Sequence, residues 1–301
     1  MNNPVLSICV VTMNRAEQLR NALLSCLACD LPKETEFVIV DNASTDNTGD
    51  IVRSVLENSG YCYYYEVMHT NLGCGGGRNY AFQKARGQYI YVLDDDAFIS
   101  DKCPDFFIKA LSYFTADDRI VTLTTQIYDM AWGKTRLQEN GPQYQHGLHL
   151  CKMFCGGSHF VRKSFFLEAP YLSNKYGYEE LKPSLYVSDA GKINAFAPEL
   201  LIIHNPMINK WKHTDEMNYE LLINECAVLY AVKKMMFPLV FYPIIRLAYV
   251  SRCKKHLSHI PNGKRRADAI VSETITQFPI KKKIRIITVI WMCKRFGLSV
   301  F

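Results

Sequence analysis

The chain has 301 residues, 49% of them hydrophobic and 21% charged, which is an ordinary globular composition with room for one large domain or one domain with an appendage. Residues 5–12 are apolar but form a short stretch without a basic leader, so we expect no signal peptide. No run of about 20 apolar residues occurs, which disfavours a transmembrane helix.

The eleven cysteines are scattered through predicted strands and helices. Cys26 and Cys29 form a CxxC pair, but no second pair stands at the spacing of a zinc site. We therefore expect buried, reduced thiols in a cytosolic protein.

The net charge of +6 is unevenly distributed. From Lys233 to the end there are 15 Lys and Arg but only two acids, whereas the remainder carries 27 acids and 20 bases. Basic and apolar residues together are typical of helices that lie on an anionic membrane leaflet. The alternative is a helical cap with a solvated basic face. We do not expect a nucleic-acid partner, because no recognised nucleic-acid motif accompanies the charge.

The first 95 residues alternate apolar, β-branched runs with helical periodicity. The predicted strands are 6–12, 36–40, 61–67 and 89–93, and the predicted helices are 16–29, 48–57 and 79–85. This alternation predicts βαβ units in a parallel, doubly wound sheet, which binds ligands beyond the carboxyl ends of its strands.

Polar residues follow three of these strands. Asp94, Asp95 and Asp96 come directly after the strand at 89–93, and three carboxylates cannot share the core. A hard cation that also grips a phosphate, Mn2+ or Mg2+, is the common way to neutralise such a group, and the alternative is an acidic helix N-cap. The ends of the first two strands add further polar groups, which favours the cleft: Thr12, Asn14, Arg15 and Asp41.

Residues 71–79 form a glycine-rich segment before a predicted helix. The segment fails the dinucleotide fingerprint because Arg78 stands in place of the third glycine, so a nicotinamide enzyme is disfavoured. Its glycines could let the backbone approach a ligand, with Arg78 reaching a diphosphate or base, or they could form a flexible turn.

The pattern changes after Pro104. We predict a helix at 106–114, a strand at 120–127, an irregular segment at 132–150 and a small-residue bend at 154–161 that enters a strand. Glu179 and Glu180 open a helix that runs to residue 190, and two short apolar pieces follow at 193–196 and 200–204.

Taken in order, these motifs resemble the family 2 inverting glycosyltransferases of the GT-A fold, in the type that builds bacterial surface polysaccharides. The match runs from about residue 6 to 205, through the strand end at Thr12, the segment at 40–46, the triplet at 94–96 and the Glu179-Glu180 pair. The resemblance implies a Rossmann-like nucleotide half at 1–103 and an acceptor half at 104–215 on a mixed sheet. A C-terminal basic helical region, 216–301, lies outside it.

The resemblance also implies roles for the donor-site residues. Asp41 would hydrogen-bond the nucleotide base, Asp94 would face the ribose or donor sugar, and Asp96 would hold the metal on the diphosphate. Asp95 would also belong to the donor site. Four further residues would complete the donor pocket and the metal shell: Thr12, Asn14, Arg15 and Arg78 at the donor, and His204 at the metal. His204 could equally be a histidine that caps a strand end.

Glu180 matches the second acid of the family's Glu-Asp motif, the general base. The chain has Glu where Asp is usual, and Lys182-Pro183 follow where relatives often carry an acid and Leu, so either Glu179 or Glu180 could be the base. A single displacement at the anomeric carbon needs one carboxylate for the acceptor hydroxyl and charge neutralisation of the leaving diphosphate.

The expected function is therefore metal-dependent, inverting transfer from a UDP- or dTDP-sugar to a saccharide or a lipid-linked saccharide acceptor, in polysaccharide or glycolipid assembly. The expected location is cytoplasmic, peripheral on the inner face of the membrane. A sugar-nucleotide nucleotidyltransferase is the alternative enzyme, although residues 12–16 lack its glycine-rich loop. A catalytically silent carbohydrate-binding protein is the third possibility.

Overall fold

The computed structural model describes residues 4–136, 141–174, 176–206 and 215–301, the first four of the last range by their backbone alone. The strands are β1 (Leu6–Thr12), β2 (Thr35–Asp41), β3 (Cys62–Val67), β4 (Tyr89–Asp94), β5 (Ala97–Ile99), β6 (Ile120–Asp129), β7 (Lys134–Thr135), β8 (His149–Leu150), β9 (Ser158–Arg162) and β10 (Ile193–His204). The α-helices are α1 (Ala16–Leu27), α2 (Thr48–Leu56), α3 (Gly73–Lys84), α4 (Phe106–Ala116), α5 (Leu181–Asp189), α6 (Asp215–Met236), α7 (Tyr242–Leu257), α8 (Gly263–Gln277) and α9 (Ile286–Phe296).

A single mixed sheet runs through the molecule in the order β3-β2-β1-β4-β9-β6-β10-β5. The first four strands are parallel, as the alternating pattern predicts. β9 then pairs antiparallel with both β4 and β6, while β10 runs parallel to β6. The mixed second half agrees with the mixed sheet that the family resemblance implies.

The sheet is buried on both faces, which explains why its central strands are continuously apolar. Leu6, Ile8 and Val10 of β1 join the cluster beneath α1, α2 and α4, whereas Cys9 joins the smaller cluster beneath α3. Successive side chains of a strand point to opposite faces, so both faces of β1 need apolar residues.

Helix α3 begins at Gly73 and not near residue 79 as predicted, so the glycine-rich segment is neither a loop nor a turn. A Cβ on Gly75 would lie 1.9 Å from the carbonyl oxygen of Leu172, and one on Gly77 would lie 2.6 Å from a Val11 methyl. The glycines allow α3 to pack closely against β1 and a neighbouring loop, and this tertiary contact outweighs their poor helix propensity.

The two apolar pieces predicted around Pro198 form one strand, β10. A register shift between Ala197 and Leu201 absorbs the proline, as a bulge does at positions where the ladder is interrupted. The last residue of β10, His204, pairs with Ala97 of β5 on one side and with Asp129 of β6 on the other.

The predicted basic region is helical and packs as a second layer of the structure. Helices α6 to α9 share two apolar clusters, and the first of these clusters also contains Leu181 and Leu185 of α5. The predicted boundary at 215/216 falls at the start of α6, and the division into two domains stays a prediction. No helix in the described ranges is both long enough and apolar enough to cross a membrane.

The eleven cysteines all fall within described segments, and each is a free thiol. Cys26 is buried and Cys29 is partly buried, as expected for thiols in the core, whereas Cys62 is exposed. Burial raises the pKa of the Cys29 thiol to about 11, so this CxxC pair lacks the reactive thiolate of a redox motif.

Candidate active site

The loop that follows β1 and the loop that follows β2 are hydrogen-bonded to each other. Asn14 adopts the left-handed backbone conformation, with φ of 53°. Its side-chain oxygen accepts a hydrogen bond from the Thr45 N–H at 2.7 Å, and its own N–H donates to the Ser44 hydroxyl at 2.9 Å. Asn14 therefore orders the rim of the predicted nucleotide pocket, where buried Thr12 pairs in register with Asp41.

Asp41 lies at the base of this rim and is almost fully buried. One carboxylate oxygen accepts the Ser44 N–H at 2.7 Å, and the other accepts the Tyr65 hydroxyl at 2.8 Å. Tyr65 lies within the predicted third strand, and no sequence motif singles it out. The two contacts fix the orientation of the carboxylate, as recognition of a base edge requires.

The three consecutive aspartates at the end of β4 go to different partners. Asp94 pairs with Arg78, while Asp95 and Asp96 both pair with Arg15, at 2.7 and 2.8 Å. Burial raises the pKa of Asp95 to about 6, against the opposing charge of Arg15. Asp94 is the most accessible of the three, with 33% of its side chain exposed against 7% for the others.

Arg78 is the centre of a buried group that we call the Arg78 cluster, formed by Arg78, Asp94, Glu179 and Glu180. Its two terminal nitrogens lie 2.5 Å from Glu180, 3.3 Å from Glu179 and 2.8 Å from Asp94. One oxygen of Glu179 is buried without a hydrogen-bond partner. The sequence predicted all four as site residues, and the structure brings them within one side chain's reach.

The Arg78 cluster holds three carboxylates against one guanidinium, and this imbalance shifts their proton affinities. Burial raises the pKa of Glu180 to about 8, and the adjacent charge of Glu179 adds to the effect while Arg78 opposes it. Burial would also raise the pKa of Asp94, but Arg78 outweighs it and holds that pKa below its usual range. The cluster thus contains a carboxylate that is unusually basic.

Gly156 makes room for this cluster. A Cβ at that position would lie 2.0 Å from a Glu180 carboxylate oxygen and 2.8 Å from Arg78. A Cβ on neighbouring Gly157 would lie 3.1 Å from a carboxylate oxygen of Asp94. The small-residue bend predicted at 154–161 therefore lies against the site and leaves space for its charged side chains.

A second group lies on the other side of Asp96, and we call it the His204 cluster: His204, Asp96, Asp129 and Arg136. His204 Nε2 lies 3.3 Å from Asp96, and Nδ1 lies 3.1 Å from Asp129. Arg136 contacts both Asp129, at 2.9 Å, and the imidazole. Asp129 and Arg136 were missed by the sequence reading.

The parallel register of β6 and β10 explains this second cluster, because it pairs Asp129 with His204. The short hairpin of β6 and β7 then returns the chain, and the Arg136 N–H donates to the Ile127 carbonyl at 2.8 Å. Asp129 ends a largely buried strand, as Asp41 and Asp94 do, but four Thr and Gln residues interrupt the apolar pattern of that strand.

The donor atoms of the His204 cluster fit a divalent cation that also binds a phosphate. Carboxylate oxygens suit Mg2+ and Mn2+, and the imidazole favours Mn2+ of the two. In the described ranges no three His, Cys, Asp or Glu side chains are arranged to hold a metal by themselves. Asp96 and His204 would thus contribute two ligands, and oxygens of the substrate would have to complete the shell.

Residues 7–169 of the chain match the family model for glycosyl transferase family 2. An uncharacterized glycosyltransferase of Haemophilus influenzae is 30% identical over 122 residues, which are 40% of this chain and 47% of the relative. A GalNAc(5)-diNAcBac-PP-undecaprenol beta-1,3-glucosyltransferase of Campylobacter jejuni is 30% identical over 93 residues, 31% of this chain and 30% of the relative. The chain thus spans less than half the length of these two curated relatives.

Solved structures share the fold over most of the chain. Residues 1–349 of Staphylococcus aureus TarS, in complex with UDP-GlcNAc, match at a TM-score of 0.63 and 16% identity, over 91% of this chain and 81% of that one. The Pyrobaculum calidifontis mannosyltransferase PcManGT, in complex with GDP-Man and Mn2+, matches at a TM-score of 0.58 and 16% identity, over 93% and 77%.

Proposed function

This chain belongs to glycosyl transferase family 2, and from that membership we propose that it transfers a sugar from a nucleotide-sugar donor to an acceptor hydroxyl with inversion at the anomeric carbon. The observation that carries the proposal is the pair of clusters on either side of the β4 end. A buried, basic glutamate lies in one, and a potential cation and phosphate site lies in the other.

The donor pocket is proposed to extend from Asp41 to Asp96, along the carboxyl ends of β2, β1 and β4. The oriented carboxylate of Asp41 can accept an imide N–H from uracil or thymine, which favours a UDP- or dTDP-sugar. Arg15 and Arg78 lie where the diphosphate would pass, and a guanidinium can donate two parallel hydrogen bonds to phosphate oxygens. Asp94, the accessible aspartate, is proposed to face the ribose or the donor sugar.

Glu180 is proposed as the general base, and the neighbouring Glu179 is the alternative. A carboxylate with a pKa near the working pH accepts the proton of the acceptor hydroxyl more readily than an ordinary one. Because the hydroxyl attacks as the diphosphate leaves from the opposite face, one base suffices and no covalent intermediate is needed. Arg78 contacts both glutamates and orients them.

Asp96 and His204 are proposed to hold Mn2+ or Mg2+, which would neutralise the charge that develops on the leaving diphosphate. Structural neighbours bound to Mn2+ support a divalent metal. Asp129 and Arg136 would fix the imidazole, as residues behind metal-binding histidines commonly do.

The proposed setting is bacterial polysaccharide or glycolipid assembly, with a saccharide or a lipid-linked saccharide as acceptor. The Campylobacter relative is named for an undecaprenol-linked saccharide, which supports the lipid-linked class.

The proposal is tested in two steps with the purified chain. First, a panel of UDP-, dTDP- and GDP-sugars is screened for thermal stabilisation with and without Mn2+, since a ligand that binds the folded state raises the unfolding midpoint. Second, the stabilising donor is supplied in radiolabelled form with candidate acceptors. Label on the acceptor with release of nucleoside diphosphate supports transfer. Pyrophosphate release from a nucleoside triphosphate would identify a nucleotidyltransferase, and stabilisation without turnover a binding protein.

A further inference from the structure

Large hydrophobic side chains are exposed unevenly over this molecule. Of the 16 such residues in the described ranges, eight lie between residues 239 and 298. The other eight are distributed over the first 167 residues, and exposed apolar residues scattered in that way are normal for a protein surface. The concentration in the C-terminal helices therefore calls for an explanation.

The exposed apolar residues of α7 form a stripe together with basic residues. Arg246, Leu247, Val250 and Lys254 recur at helical spacing on the solvent side, with Leu247 70% exposed. The opposite side of the helix is buried. The turn that leads into α7 continues the apolar surface with Leu239 and Val240, at 68% and 67% exposure.

Helix α9 repeats the arrangement. Ile287, Ile290 and Lys294 lie at helical spacing on its solvent side, and Ile286 precedes them. The basic run at 281–283 leads into the helix, and no acidic residue occurs from 278 to 301. Helix α7 and its leading turn contain no acid either.

The two elements are attached to each other near their starts. Lys283 Nζ donates to the Met235 and Phe237 carbonyls and to the Tyr242 hydroxyl at 2.8 Å, which attaches the segment before α9 to the start of α7. The rings of Phe241 and Phe301 also pack together, at 5.7 Å between centroids. We call the exposed residues of this pair the α7–α9 face: 239, 240, 243, 246, 247, 250, 254, 286, 287, 290 and 294.

Helix α8 shows that this composition is not general to the basic region. Its solvent side carries both signs of charge, with Lys264 paired to Asp268 at 2.6 Å and Glu273 further along. None of the large exposed hydrophobic residues lies in α8. The solvent side of α8 therefore has the composition expected of a helix surface that contacts only water.

We propose that the α7–α9 face docks on an anionic lipid surface, with its isoleucines and leucines at the acyl boundary and its lysines and arginines among the headgroups. Apolar and exclusively basic residues on one face favour a lipid leaflet over a protein partner, because only the leaflet presents a broad anionic layer above an apolar interior. The face does not depend on the proposed sugar transfer.

The position of α9 connects this face to the candidate active site. Asp189, at the end of α5, accepts hydrogen bonds from the Arg285 N–H and the Thr288 hydroxyl, both at 2.7 Å. Glu180 stands at the opposite end of the same helix. Nine helical residues rise about 13 Å. The saccharide of a lipid-linked acceptor, anchored in a membrane beneath α9, would therefore be able to extend to Glu180.

The test is flotation of the full chain with phosphatidylcholine vesicles that contain either no anionic lipid or about 30 mol% phosphatidylglycerol. We expect binding to the anionic vesicles only, and release in about 1 M salt, which screens the charges. The variant Leu239→Ser/Leu247→Ser/Ile287→Ser and the variant Lys254→Glu/Lys294→Glu should each lower the bound fraction at least about tenfold. All these side chains are exposed, so the fold should be preserved.

The matched control is Lys33→Glu/Lys102→Glu, which changes the net charge equally at exposed lysines of the first half. Equal loss in this control would overturn the proposal, because binding would then follow net charge alone. Absence of wild-type binding would overturn it as well, as would a dimer in sedimentation velocity that only the apolar variant dissociates. Donor-induced thermal stabilisation, measured in every variant, separates these outcomes from a failure of the proposed activity.

Discussion

The Arg78 cluster and the His204 cluster lie on either side of the same strand end, and they balance charge differently. In the first, one arginine faces three carboxylates. In the second, Arg136 and an imidazole face two. Excess negative charge in a buried place favours the protonated form of one carboxyl group, whereas a cation beside a carboxylate favours its ionised form.

The pKa shifts follow this difference. Burial and Glu179 raise the pKa of Glu180, whereas Arg136 overcomes the burial of Asp129 and lowers its pKa. The first cluster is therefore suited to proton transfer and the second to binding a cation with its phosphate. Asp94 and Asp96 are two residues apart but belong to different clusters, which divides the aspartate triplet between the two tasks.

The largest effects are expected from two isosteric variants, one in each cluster, which should affect different steps. Glu180→Gln removes the base and should lower kcat by roughly 10²- to 10⁴-fold, with donor affinity nearly unchanged. Asp96→Asn weakens the cation site and should raise the donor Kd. Steady-state kinetics and donor titration with Mn2+ check both. Full activity in Glu180→Gln would exclude it as the base, and equal loss of donor binding in both variants would contradict the division.

Gly156→Ala should inactivate the Arg78 cluster without replacing any charged residue. Its Cβ would displace the Glu180 carboxylate, which lies 2.0 Å from that position, so we expect about a 100-fold loss of kcat, as a 1 Å misplacement can cause. The control is Gly60→Ala, where φ is +80° and no atom lies within 4 Å, so only backbone strain is added. Unchanged kcat in Gly156→Ala would show that this glutamate's position is unimportant.

Much of the first cluster was predictable from sequence. A buried strand that ends in acids identifies Asp94, and the resemblance to the family's Glu-Asp motif identifies Glu179 and Glu180. Their convergence on Arg78 was not predictable from spacing, since about 100 residues separate the arginine from the glutamates. It depends on the loop around Leu172, which packs on Gly75 of α3.

The second cluster was only half predictable. Asp96 and His204 follow from the family motif, but Asp129 lies 75 residues from His204 in sequence and reaches it through the register of two strands. Arg136 depends on a short hairpin within a segment that reads as irregular. The predicted start of α3 was wrong for a related reason. Helix propensity is a local property, whereas the close approach of the glycines to Val11 and Leu172 depends on contacts between distant parts of the chain.

Asp129→Asn should have a moderate effect that is confined to the His204 cluster. Loss of the charge behind the imidazole should weaken Mn2+ affinity by roughly 10- to 100-fold, which raises the metal concentration needed for half-maximal activity. At saturating Mn2+, kcat should approach the wild-type value. A purely structural role for Asp129 would instead lower kcat at all metal concentrations and the unfolding temperature in parallel. The control Asp117→Asn removes a buried, ion-paired aspartate outside either cluster.

The smallest effect should come from Glu179→Gln, and it sharpens the assignment of the base. If Glu180 is the base, the rate of sugar transfer should rise with pH through about 8 as the carboxyl group of Glu180 loses its proton. Removal of the Glu179 charge removes a cause that raises this pKa, although burial, the larger cause, remains. The rising limb of the kcat profile should therefore move to lower pH, with less than about a tenfold change in the alkaline plateau. Exposed Glu17→Gln makes the same change in net charge and should leave the profile in place. Loss of activity at every pH in Glu179→Gln would instead assign the base to Glu179, whose second carboxylate oxygen is buried without a hydrogen-bond partner.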